Sequence, residues 1–331
     1  MPESERSLGL VLGSAMQPEQ LVPVAVAADR AGLDELWFSE DCFFTGGISG
    51  AAAALASTSR VRVGLGVVSA MLRHPALLAM EVATISGAFP DRLLTGIGLG
   101  VPAWLEQVGR LPRSPVGAMT ECVTAVRRLL AGERLDESGE EYAFADVALA
   151  HPARRPTPIY MGVIGPRMLR LSGEIADGSI LSVCAGVQYL RWARDQVDAG
   201  RAKAGRTDPH RLTAFAIYSV DRDRKAAQTA ARESLAFYLS AGGTNAITDV
   251  EEISGPVAKM AEGGGAAAVE AKMPEEWVDR LTVCGSAADC AERIRDLYEN
   301  GADSVVLLPV PSADTIGATR TTAADVRPLL S

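Results

Sequence analysis

The chain has 331 residues, 48% of them hydrophobic, and its 32 Lys and Arg against 41 Asp and Glu give a formal charge of −9. That length can bury a sizeable core, and the acidic balance excludes the concentrated basic face that nucleic-acid binding requires. Cys42, Cys122, Cys184, Cys284 and Cys290 show no Cys-x-x-Cys pairing, so neither a disulfide framework nor a zinc site is indicated.

The opening residues Met-Pro-Glu-Ser-Glu-Arg-Ser are polar, without a basic-then-apolar signal, and no apolar stretch approaches the ~18–20 residues of a membrane span. A cytoplasmic chain is expected. In chain order, strands are expected at Leu8–Leu12, Glu35–Ser39, Val61–Val68, Leu93–Ile97, Pro158–Val163, Ser179–Val183, Thr213–Val220 and Ser304–Val310. Helical patterns alternate with them at Pro18–Ala31, Gly50–Ser57, Pro75–Phe89, Val116–Leu130, Arg167–Ala176, Tyr189–Ala204, Lys225–Leu239 and Ala287–Glu299. Runs such as Val-Gly-Leu-Gly-Val-Val and Ser-Val-Val-Leu-Leu-Pro-Val are apolar on both faces, as in parallel strands covered by helices.

Eight β-α units without a break in composition predict one α/β domain over residues 1–331, a (β/α)8 TIM barrel; a doubly wound open sheet is the alternative. Two stretches depart from the cadence. Gly132–Pro156, with Tyr142, Phe144, Val147 and Leu149 nearly alternating, reads as a short β excursion inserted before the fifth strand (132–156). Ser240–Glu276 (240–276) is rich in Gly and Ala and reads either as broken helices forming a lid over the barrel mouth or as a surface insertion without a role.

Glycines inside a strand mark a bulge, a packing contact or a place where a flat ligand meets the backbone, so Gly64 and Gly66 are candidates for a site. Gly162-Val163-Ile164-Gly165-Pro166-Arg167 runs from a strand straight into a helix. Its exposed N–H groups, helix N-terminus and Arg167 suit a phosphate, although an ordinary βα turn uses the same residues. Gly96-Ile-Gly98-Leu-Gly100 is not a dinucleotide fingerprint, because Val101 stands where the third glycine or alanine belongs. His74, His151 and His210 lack metal-ligand spacing, and no Gly-x-Ser-x-Gly elbow is present, so no metal and no serine hydrolase is expected.

These segments together resemble the luciferase-like monooxygenase superfamily, which holds flavin-dependent monooxygenases and enzymes dependent on the deazaflavin coenzyme F420. The marks are Trp37-Phe-Ser-Glu-Asp41, Gly64-Leu-Gly-Val-Val with Arg73-His-Pro75, Phe89-Pro-Asp-Arg-Leu-Leu-Thr-Gly-Ile-Gly-Leu-Gly100, Gly162 to Arg167 with Ala176-Asp-Gly178, and Thr282-Val-Cys-Gly285 with Gly301-Ala-Asp-Ser-Val-Val-Leu-Leu-Pro309. They span nearly the whole chain.

The resemblance implies a luciferase-like barrel and a cis peptide at Gly66–Val67 backing a (deaza)flavin ring. Gly64, Gly66, Val67, Val68, Gly98, Gly100 and Val101 would line the ring site, and Gly162, Val163, Ile164, Gly165 and Arg167 would hold the phosphate. It also allows a homodimer. Several deazaflavin enzymes carry histidine at the position of Asp41 and glutamate at that of Val101, and both are absent here.

Glu40 and Asp41 then become the acid/base candidates; neighbouring strand residues face opposite sides, so one of the two is expected to reach the substrate, and the resemblance favours Asp41, which occupies the position of the family's catalytic histidine. Either carboxylate could instead cap the next helix or pair with Arg73. Trp104, Met71, Phe43 and Phe44 are candidate pocket walls or core. The expected activity is F420H2-dependent reduction of an activated double bond in a small organic substrate. The alternatives are an FMN-dependent monooxygenase and a flavin-binding protein without turnover.

Overall fold

A computed structural model describes residues 6–310 and 314–330. Eight parallel strands close into a barrel: β1 (Ser7–Leu12), β2 (Glu35–Phe38), β3 (Arg62–Leu65), β4 (Leu93–Gly98), β5 (Ile159–Gly162), β6 (Gly178–Leu181), β7 (Arg211–Val220) and β8 (Ser304–Pro309). Each pairs with the next, and β8 closes on β1 through Ser7↔Ser304 to Leu10↔Leu307. All eight fall on the runs expected from the sequence, because residues buried on both faces leave no other reading for segments this short. The open-sheet alternative fails on that closure.

The surrounding helices are α1 (Pro18–Arg30), α2 (Gly47–Ser57), α3 (Pro75–Ala88), α4 (Pro115–Leu130), α5 (Pro166–Ile175), α6 (Val187–Lys203), α7 (Arg224–Gly242) and α8 (Ala287–Glu299). Proline at the first helical position starts α1, α3, α4 and α5, where its missing N–H has no partner to lose. A short strand, Val283–Gly285, extends β7 beyond its pairing with β8, and a short helix, Pro102–Gln107, follows β4. Neither is expected from the sequence, since three and six residues carry too little periodicity to read.

Inside the barrel Trp37 meets Tyr160 and Phe215 edge-on, at ring-centre distances of 5.5 and 5.9 Å. A Cβ on Gly64 would lie 2.2 Å from the Trp37 ring. Gly64 is therefore a packing glycine, buried beneath the indole.

The segment 132–156 holds an antiparallel hairpin, Leu135–Ser138 with Ala143–Val147. Tyr142 donates its hydroxyl to the Ala70 carbonyl at 2.6 Å, and His74 packs edge-on against Tyr142 and Phe144. The hairpin thus clamps the loop between β3 and α3. Segment 240–276 contains the short helices Ala246–Val250, Ser254–Glu262 and Gly265–Lys272, and a fourth, Glu275–Leu281, begins at its end. Arg232 of α7 donates to the carbonyls of Glu270 and Met273, and Glu251 accepts the Tyr189 N–H at the start of α6 at 3.0 Å. This segment lies along α6 and α7 and supplies no residue to the barrel mouth, so the lid expected of it is not built there.

Candidate active site

The C-terminal ends of the strands open into a cavity of about 1030 Å³, where (β/α)8 barrels place their chemistry. Four loops form its floor. After β2 come Glu40, Asp41 and Cys42; after β3, Gly66, Val67 and Ser69; after β4, Gly98, Gly100 and Val101; after β5, Gly162, Val163, Ile164 and Gly165. The sequence brings these segments together as expected.

The floor is raised at β3. The strand breaks after Leu65, the Gly66–Val67 peptide is cis, and pairing to β4 resumes at Val68–Ser69. The Val67 side chain then fills the space that a Cβ on Gly98 or Gly162 would occupy, at 2.4 and 2.8 Å from its methyl carbons. Those two glycines therefore admit Val67 rather than a ligand directly. Gly100 adopts φ +99° with the Ser69 hydroxyl close against it, a conformation that disfavours any side chain. Ser69 donates to the Leu99 carbonyl at 2.7 Å, stitching the ends of β3 and β4 together.

The adjacent carboxylates separate in role. Arg73 donates both terminal nitrogens to Glu40 at 2.5 and 2.8 Å, and the Gly47 N–H at the start of α2 donates to the same carboxylate at 2.7 Å. Glu40 thus ties β2 to α2 and α3, and this bond chiefly raises the Arg73 guanidinium above its ordinary value. Asp41 instead accepts the Ser14 hydroxyl at 2.5 Å and stays half-buried on the cavity wall. Burial first, then the Glu40 and Asp41 charges, push the Cys42 thiol up, which disfavours a thiolate nucleophile.

Gly165 is the residue before α5, and a Cβ there would meet nothing within 4 Å. Open space at a helix N-terminus suits a bound anion. Arg167 points away: it is exposed and does not line the cavity.

Several expected lining residues are placed elsewhere. Gly64 lies under Trp37, and Val68 is buried in the core on the far side of the bulge. Met71 is buried in a small cluster with Leu105 and Ala118, while Phe43 and Phe44 are exposed outside the cavity. Trp104 does line it.

The sequence reading missed the wall contributed by α7. Ala230, Glu233, Ser234 and Phe237, spaced three and four apart, face the cavity together with Tyr238. Phe237 and Tyr238 pack edge-on at 5.3 Å and are 58% and 37% exposed, although Tyr238 is three and seven residues from buried Leu235 and Ala231 on the same helix. That exposed pair is the signal that could have marked the wall. Burial, reinforced by the Asp41 carboxylate, pushes the Tyr238 phenol up to about 12. Ser14, Ser182 and Phe215 are among the other lining residues that the sequence did not single out.

Among the described residues no group of His, Cys, Asp and Glu is arranged to hold a metal ion, and no helix is long and apolar enough to cross a membrane.

A family model described as luciferase-like monooxygenase matches residues 5–304. A 5,10-methylenetetrahydromethanopterin reductase from Methanolobus tindarius is 29% identical over 290 residues, covering 85% of this chain and 87% of the relative. An F420-dependent glucose-6-phosphate dehydrogenase from Nocardia farcinica is 26% identical over 311 residues, 87% of each chain. Among solved structures, the coenzyme F420-dependent tetrahydromethanopterin reductase from Methanopyrus kandleri superposes with a TM-score of 0.87 at 22% identity. That likeness covers 99% of this chain and 100% of the other, and bears on the fold.

Proposed function

Because the chain belongs to the luciferase-like monooxygenase family and is an oxidoreductase, we propose that it is an F420H2-dependent reductase acting on an activated double bond of a small organic molecule. The carrying observation is the cavity floor. Gly66 and Val67 line the mouth beside open backbone at Gly165, which precedes an anion-accepting helix start. These residues fit a tricyclic ring with a phosphate-bearing tail. Reduced F420, when bound, supplies a hydride. The relatives named for F420 support this choice over FMN.

The chain's own groups divide the remaining work. Backbone N–H groups at the start of α5 hold the phosphate, since no Lys, Arg or His among the described residues lines the cavity. Val67 and Phe215 support the ring. Asp41 donates the proton to the reduced substrate, with the Ser14 hydroxyl fixing its carboxyl, and Glu40 with Arg73 positions the loop that carries it. The sugar phosphate named for the Nocardia relative is not proposed here, because beyond the start of α5 the charged residues lining the cavity are the carboxylates Glu40, Asp41 and Glu233.

Equilibrium titration of the purified chain with F420 and with FMN under matched conditions tests the reading. Tighter F420 binding and oxygen-independent, substrate-dependent oxidation of F420H2 are expected. Tighter FMN binding with oxygen-dependent turnover overturns it.

A further inference from the structure

The cavity is one-sided in charge. Its only charged lining residues among those described are Glu40, Asp41 and Glu233. Glu40 is neutralised by its two bonds to Arg73, a residue whose remaining ion pair, at 3.7 Å, is with Glu81. Asp41 accepts a neutral hydroxyl, and Glu233 makes no hydrogen bond or ion pair among the described residues. Two carboxylates therefore face the cavity without a cation to balance them. They sit on different elements, the loop after β2 and α7, and the aromatic pair Phe237 and Tyr238 lines the same cavity. Phe237 follows Glu233 by one helical turn, and the Asp41 charge acts on the Tyr238 hydroxyl.

We infer that the substrate is a conjugated organic molecule carrying a protonated amine, with no phosphate or carboxylate, its ammonium held between Glu233 and the ring faces of the Phe237–Tyr238 pair. The inference rests on the reductase reading for the conjugated bond and on the wall alone for the amine. Carboxylates beside ring faces attract a cation by charge and by the ring quadrupole, while an anion entering the same space meets repulsion and no compensating donor. Asp41, on the separate loop after β2, stays available for the proton.

Three probes of matched size separate the parts: a cyclohexenone with an ammonium side chain, its neutral parent and its carboxylate analogue. Calorimetric binding to the F420-loaded protein and steady-state KM are both read. The ammonium probe should bind on the order of tenfold or more tighter than the carboxylate, with the neutral parent between. The E233K variant, whose folding is checked by its melting temperature, should reverse that order. Equal affinities, an inverted order in the wild type, failure of the ammonium probe to bind, or an order unchanged in E233K would each overturn the inference. Ordered binding without turnover of any probe would instead count against the reductase reading and leave the amine assignment standing.

Discussion

The two ends of the barrel carry carboxylates in opposite states. At the N-terminal end of the strands an aspartate immediately precedes β2, β6 and β8, and each accepts a backbone N–H from a neighbouring strand. Asp34 takes the Leu8 N–H at 2.9 Å, Asp177 that of Ile159 at 2.8 Å and Asp303 that of Leu212 at 2.7 Å. Each also meets an arginine, Arg327, Arg127 and Arg194 respectively. Glu35, 1% exposed inside this end, accepts from Trp37 Nε1, Arg62 and Ser304 at 2.7 to 2.9 Å, with Arg211 at 3.6 Å. At the other end Asp41 accepts one hydroxyl, and Glu233 is unbonded among the described residues. A saturated carboxylate holds structure, whereas an unsaturated one in a cavity is free to meet a ligand, which is how one residue type serves both ends.

Breaking the saturated end should produce the largest change in stability. Glu35→Ala removes the carboxylate that faces Arg62 and Arg211 and the acceptor of the Trp37 and Ser304 donors, and should lower unfolding free energy by about 3–5 kcal/mol in a urea titration. Turnover per folded molecule should be largely retained, because Glu35 itself does not line the cavity.

The mirror-image experiment leaves stability alone. Asp41→Asn keeps shape and the Ser14 contact but removes the proton, so kcat should fall by ~10²–10⁴-fold while the melting temperature holds. Glu40→Gln should behave like a change at the saturated end, losing the bidentate Arg73 pair and with it stability. Equal and near-normal turnover in both variants would remove both carboxylates from the proton path.

Glycines sharpen the contrast further. Gly64→Ala would push a methyl group into the Trp37 ring, and overpacking of this kind costs about 1–3 kcal/mol. Gly165→Val meets open space, so its melting temperature should hold while cofactor affinity drops, read by equilibrium titration. Unchanged affinity would move the phosphate elsewhere.

The strands and the four mouth loops were readable in the sequence because apolar runs and glycines are local signals. The cis bulge at Gly66–Val67 followed from resemblance rather than from the residues themselves. What escaped was whatever depends on distant partners. Ser304 meets Glu35 across 269 positions, and no periodicity announces such a bond. Gly64 read as a ligand contact because a glycine that admits a ligand and one that admits an indole look alike in a strand. Glu233, Phe237 and Tyr238 escaped because α7 has its own buried face, Ala227, Ala231 and Leu235, which satisfied the helical pattern and left the overhanging face unexamined.

The smallest expected effect belongs to the saturated end and appears only with pH. His210, 6% exposed, precedes β7 and meets the Ser179 hydroxyl of β6 at 2.9 Å. Burial, then the nearby Arg194 and Arg206 charges, lower its pKa to about 4, below the 6.5 of the unfolded chain. Between those values the unfolded chain binds a proton that the folded protein refuses, so folding stability is full above about pH 6.5 and is lost as pH falls toward 4. The sign is opposite to that of a paired histidine, which loses its contribution as pH rises. From pH 7 to pH 5 the protein should lose about 2 kcal/mol more than the His210→Gln variant, which cannot take up that proton. Urea titrations of both at the two pH values read the difference directly, since the carboxylate contributions are common to the pair and cancel. Parallel losses in the two proteins would show that His210 is protonated in the folded state and that this end of the barrel tolerates one more positive charge.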